Sequence, residues 1–225
     1  AYASSYLKCH FQEAFYTALL NSQPMGFYSV HALLQSAQRE GSRVLPICIH
    51  QSEYKSTIES HDGSLCIRMG LHLVRGLSKK GAHKLLELRE QHGSWESIQD
   101  YLKVNPLNRG DLTALVAANC LADFGISRSE AIWIAEAAPF STAIEEDLSV
   151  RFSEDDAFAS IEKDFDAFGT TLGKHPASLI QKSYWSYPIH RKDLCSSREL
   201  KEVRPNARVT VCLLYTSDAA DDSLR

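Results

Sequence analysis

The residues of this 225-residue chain best placed to do chemistry lie between Leu71 and Leu86. Gly76-Leu77-Ser78 reads as a tight turn, and Arg75, Lys79, Lys80 and Lys84 surround it with positive charge. Leu71, Val74, Ala82, Leu85 and Leu86 bracket the turn at spacings that pack two short helices on each other. Such a turn leaves backbone N–H groups without intrahelical partners, and the positive end of the second helix adds to their attraction for an anion. The chemistry on offer is therefore capture of a phosphate oxygen. Ser78 stands where a second glycine would free the turn, at a cost of about 1 kcal/mol if its φ must be positive. Capping the second helix with its hydroxyl is the other role open to it. From 65 to 118 eight Lys and Arg stand against five Asp and Glu, a net of +3, while the whole chain carries −4 with a pI near 6.1. That balance excludes a uniformly basic coat for nucleic acid and makes any phosphate contact local. The alternative for the same residues is an ordinary helical hairpin whose lysines face water.

Other reactive side chains do not assemble by spacing. The six cysteines, Cys9, Cys48, Cys66, Cys120, Cys195 and Cys212, form no C-x-x-C pair, and Cys9-His10 and Cys48-x-His50 find no second half of a zinc site. They read as reduced thiols of a cytoplasmic protein. Asp155-Asp156 and Asp221-Asp222 are the adjacent aspartate pairs, one in an acidic linker and one in the tail. Neither has the surroundings that a metal-holding pair needs, so no residue here is expected to be catalytic or to hold a metal. No run of eighteen apolar residues and no signal peptide is present, which predicts neither a membrane protein nor a secretory precursor.

The elements that must position the turn are short. Apolar residues at helical spacing predict a helix over 2–20, ended by Asn21-Ser22-Gln23-Pro24-Met25-Gly26. A second helix is expected over 29–40, capped by Ser29 and closed at Gly41. Val44–Ile49, Tyr54–Ile58 and Leu65–Met69 read as strands of a small sheet, with His61-Asp62-Gly63 as a turn. Short helices follow to Phe124, with Ser94 and Asn108 as caps, and Ser127 with Glu130 makes a capping box. Helical pairs at 71–91 and 95–121 are loosely alike. Residues 141–156 read as an acidic linker, and Phe158, Ile161, Phe165 and Phe168 predict one more helix. The fold class is mainly α with a small β-sheet, α+β in type. The absence of an initial methionine, and an opening inside an apolar helix, lead us to expect a truncated reading frame.

Leu71–Leu86 resembles the helix-hairpin-helix DNA-binding pattern, where apolar residues flank a Gly-apolar-Gly turn and an alanine follows four residues on, here Ala82. Leu7-Lys8-Cys9-His10, followed by Ala18 to Tyr28 with its wording Asn-Ser-Gln-Pro-Met-Gly-Phe-Tyr, is similar to the fingers of bacterial DNA polymerase III alpha subunits, in their error-prone branch. The order that follows also fits: Val44-Leu45-Pro46, Ser52-Glu53-Tyr54, Ile67-Arg68-Met69-Gly70-Leu71 and Val74-Arg75-Gly76-Leu77. The likeness continues more weakly through Leu172-Gly173-Lys174-His175-Pro176 to Val211. Residues 212–225 look like the translation of a sequencing adapter.

The resemblance implies a division into the end of the fingers (1–64), a helix-hairpin-helix region (65–124), a helical connector with the acidic linker (125–207), the entrance of an OB-fold (208–211) and the adapter-like tail. It implies template-directed synthesis by the intact enzyme, with magnesium held by palm aspartates that this chain lacks, and hence a fragment inactive by itself and without a cofactor of its own. Lys8 could approach nucleotide or simply face water. Duplex primer–template DNA is the implied partner, gripped without sequence preference through Arg75, Gly76, Leu77, Ser78, Lys79, Lys80 and Lys84. Other replication or translesion proteins are further partners that it allows, and no membrane is. Two rival readings stand beside it: a free-standing DNA-binding adaptor, and a helical protein-interaction module anchored by Trp95, Trp133 and Trp185.

Overall fold

A computed structural model describes residues 2–137 and 156–173, together with Leu179. The described residues up to Gly173 belong to one compact unit. Its helices are α1 (Tyr2–His10), α2 (Gln12–Asn21), α3 (Val30–Arg39), α4 (Lys79–His92), α5 (Ile98–Val104), α6 (Arg109–Ala117), α7 (Arg128–Ala137) and α8 (Ala157–Phe168). The strands are β1 (Arg43–Leu45), β2 (Thr57–His61) and β3 (Ser64–Arg68). A mainly helical chain with one small sheet is thus what the sequence builds.

β3 lies in the middle of the sheet, parallel to β1 with Val44 opposite Ile67, and antiparallel to β2 with Ile58 opposite Ile67. Asp62 and Gly63, both at positive φ, turn β2 into β3 as a two-residue hairpin, the conformation that matches strand twist. β1 is shorter than the apolar run Val44–Ile49 predicts. Pro46 has no N–H to give a ladder, so pairing stops at Leu45. β2 starts later than expected because the Ser56 N–H is spent on Asn21 Oδ1 at 2.8 Å. Arg68, 7% exposed, holds the sheet from beneath, donating to Glu59 at 3.1 Å and to the Pro46 carbonyl at 3.0 Å.

One hydrophobic core joins Tyr16, Leu20, Leu34, Ile49, Ile67, Met69, Leu85, Tyr101 and Leu115 with Ala167 and Phe168, so it crosses residue 64 without a break. The helix expected over 2–20 is two helices, parted at Phe11, whose φ −138° and ψ 54° are not helical. Ser29 and Asn108 cap α3 and α6 as their positions predict, accepting from the N–H groups of Ala32 and Asp111. The cap of α5 is Ser97 in place of Ser94: Trp95 is buried edge-on against Tyr101 at 5.1 Å, which keeps the chain out of the helix for three more residues. α8 covers the Phe158–Phe168 pattern and is bound to α7 by the buried Arg128–Asp164 pair. Most of the acidic linker, the OB-fold entrance and the adapter-like tail fall outside the described residues.

Candidate nucleic-acid interface

The stretch from Leu71 to Leu86 forms a turn leading into one long helix. The first helix expected of the hairpin is a single 3-10 turn, Leu71–Leu73, because Leu71 and His72 donate their N–H groups to the carbonyls of Glu53 and Tyr54 across the chain. Leu71 and Val74 are buried as the spacing requires, and so are Ala82, Leu85 and Leu88 on the inner face of α4. Gly76 adopts φ +82°, the left-handed region that a side chain resists, while a Cβ there would meet only ordinary contact with Ala114. Ser78 has φ −72° and ψ 148°, so serine costs nothing in the turn. Its hydroxyl caps α4 by accepting from the Gly81 N–H at 2.9 Å.

The anion at this turn belongs to the protein. Asp111, 4% exposed at the start of α6, accepts from the Ser78 N–H at 2.7 Å, from the Ser78 hydroxyl at 2.9 Å and from Asn108 Nδ2 at 2.8 Å. The Leu77 N–H is turned to the Val74 carbonyl at 3.4 Å. The outward-pointing N–H groups that the sequence predicts at Gly76-Leu77-Ser78 are therefore partly spent inside the molecule, and a carboxylate sits at the positive end of α4. Gly81 is required by this clasp, since a Cβ on it would lie 2.3 Å from Asp111 Oδ2.

The outer face of α4 keeps its charge. Lys79, Lys80 and Lys84 are exposed beside His83, and Lys55 is exposed in the loop that α4 overlooks. None of these lysines makes an ion pair among the described residues. Tyr54 stacks on His83 with centroids 5.1 Å apart, and Lys79 Nζ lies 5.9 Å from the Tyr54 ring centre. Arg75 faces elsewhere: its N–H donates to the Ala167 carbonyl and its guanidinium to the Phe165 carbonyl at 3.1 Å, closing the end of α8.

A second Gly-apolar-Ser turn was available in the sequence. Gly125-Ile126-Ser127 precedes α7 and leads to Ala131 at the spacing by which Gly76-Leu77-Ser78 leads to Ala82. Gly125 takes φ +72° after a 3-10 turn, Ala122–Phe124, and Ser127 accepts from the Glu130 N–H at 3.1 Å. Within the chain, 76–82 thus corresponds to 125–131.

Cys48, Cys66 and Cys120 are buried, and burial pushes the Cys48 thiol up to about 11, helped by Asp123, to which it donates. Burial lowers the His50 pKa below the ordinary histidine value. Among the described residues no three His, Cys, Asp or Glu side chains converge. No helix of the described residues is long and apolar enough to cross a membrane. Trp95 is core, Trp133 is partly exposed and Trp185 lies outside the described residues. Lys8 pairs with Glu40 at 2.6 Å.

Residues 41–131 match the helix-hairpin-helix motif family. Over 224 residues, 96% of the chain, it is 37% identical to an error-prone DNA polymerase of Burkholderia mallei. By sequence, the chain belongs with the error-prone DNA polymerases. The polymerase of Burkholderia pseudomallei is 35% identical over 96% of the chain, and that of Vibrio campbellii 34% identical over 81%. The chain spans about a fifth of the length of these polymerases, covering 20%, 21% and 18% of them.

Proposed function

We propose that this chain is the part of an error-prone DNA polymerase that grips duplex DNA without reading its sequence, while template-directed synthesis takes place on aspartate-held magnesium elsewhere in the intact enzyme. In this reading residues 1–64 end the fingers, 65–124 carry the grip, and 125–207 connect it to an OB-fold beginning at 208. The observation that carries the reading is the outer face of α4, where Lys79, Lys80 and Lys84 stand exposed without ion-pair partners among the described residues. Lysines so placed reach phosphates as point charges and carry no information about base sequence. Tyr54 and His83 stiffen the same face, and the Asp111 clasp fixes the angle at which α4 leaves the turn. Gly76, Leu77 and Ser78 serve this grip mainly by shape.

Fluorescence titration of a short duplex at several salt concentrations tests the reading. Lys79→Ala with Lys80→Ala is expected to weaken binding equally for unrelated sequences and to flatten the log–log salt slope by about 0.9 for each lost phosphate contact. Unchanged affinity and slope in a folded double variant would refute it.

A further inference from the structure

The segment between α2 and α3, residues 22–29, holds two aromatic side chains for which the fold gives no reason. The polar side chains at its two ends are engaged within the chain. Asn21 grips Ser56 in both directions, donating to its carbonyl at 2.9 Å and accepting from its N–H at 2.8 Å. Gln23 closes the loop on itself, donating to the Tyr28 carbonyl at 2.9 Å and accepting from the Met25 N–H at 3.0 Å. Ser29 caps α3. These bonds hold a fixed loop whose apex is nevertheless the most exposed large apolar side chain among the described residues: Phe27 is 92% exposed, and Tyr28 beside it 55%. A loop braced by three side chains but presenting a bare ring to water is shaped for something outside the chain.

The base of the loop shows what that is. Gln23, Pro24 and Ser29, from its two ends, line one open cavity of about 310 Å3 together with His72, Arg75 and Gly169. Arg75 enters it with its guanidinium lying across Gly169, where a Cβ would come within 2.6 Å of Nη2, and spends Nη1 on the Phe165 carbonyl. Two exposed aromatic rings, on a loop whose ends line an open, mostly apolar cavity that an arginine enters, are a poor face for a folded protein, which needs a broad contiguous apolar patch. They suit a nucleotide, whose base stacks on a ring while its phosphate meets a guanidinium.

We propose that Phe27 and Tyr28 form a stacking platform for an unpaired base of a DNA strand, with the adjoining phosphate taken by Arg75 in the cavity. The platform rests on the DNA-binding reading above and adds a second, single-strand contact to the duplex grip of α4. The 225-residue chain is titrated with a labelled oligothymidine of about ten nucleotides, a length within the usual footprint of such sites, and with a blunt duplex. Phe27→Ala is expected to weaken oligothymidine binding about tenfold or more while leaving the duplex unaffected, and Phe27→Tyr to retain it. Equal affinity for oligothymidine in Phe27→Ala and parent, or an equal loss on both ligands, would overturn the platform. The Lys79→Ala, Lys80→Ala variant runs alongside: if its duplex affinity drops while Phe27→Ala changes nothing, the platform alone fails, and if neither ligand binds the parent chain, both readings fail.

Discussion

Replacing Asp111 with alanine should destabilise the fold far more than an exposed aspartate would. The carboxylate is 4% exposed and accepts three hydrogen bonds, two from Ser78 and one from Asn108. Hydrogen bonds to a charged group contribute about 1.5–3 kcal/mol each. The lower end applies here, because Ser78 is exposed and water can take over its donors, and because removing a buried charge recovers some desolvation cost. About 3 kcal/mol is the resulting loss, which for a chain of this size lowers Tm by roughly 6–12 °C. Asp111→Asn, of the same shape, keeps one acceptor and should lose about half as much. Urea unfolding and thermal melts followed by circular dichroism measure both. A double-mutant cycle with Ser78→Ala should return a coupling of about 1 kcal/mol, since the two residues share a bond. Asp111→Ala within about 0.5 kcal/mol of the parent, the range of ordinary surface changes, would show that the clasp holds nothing.

Gly81→Ala, otherwise favourable in a helix, should destabilise, because its Cβ would lie 2.3 Å from Asp111 Oδ2; in an Asp111→Ala background the same change should become neutral or stabilising, as urea titrations would read. His50 packs against Trp95 and Phe124 with its Nδ1 buried and unpartnered, and burial lowers its pKa below 6.5. As pH falls below that value the unfolded chain takes up a proton that the folded chain refuses, so stability should decline there, and His50→Phe should flatten the decline measured by urea unfolding at several pH values. If synthesis takes place elsewhere in the intact enzyme, as proposed, the 225-residue chain should add no nucleotide on a primed template with magnesium; incorporation by carefully purified protein would contradict that division of labour.

What could be read ahead of the structure was local. Ser29, Asn108 and Ser127 announce helix starts because a cap acts within three residues of itself, and the lysines of α4 are legible as a solvated face because helical spacing separates them from Ala82, Leu85 and Leu88. What stayed hidden is made by distant partners. Asp111 counts as one more acidic residue in the sequence, yet it lies beneath the turn 33 residues before it, and no spacing rule joins the two. Arg75 reads as part of the basic cluster but answers to carbonyls 90 residues on. The 3-10 turn at Leu71–Leu73 replaces a helix for the same reason, its N–H groups being claimed from across the fold. The second turn, Gly125-Ile126-Ser127, was legible in principle from its matching glycine, serine and alanine.

The sheet also sets an order of events in folding. β2 and β3 are joined by two residues already suited to the turn, Asp62 and Gly63, so this hairpin can close on the microsecond scale without help from the rest of the chain. β1 runs parallel to β3, with Leu45 opposite Arg68, and its pairing must enclose the whole hairpin and the loop before it. Closing that larger loop costs entropy before any ladder bond repays it. During synthesis β1 emerges first and waits with its apolar residues uncovered, until Ser64–Arg68 has left the ribosome and the hairpin offers it an edge.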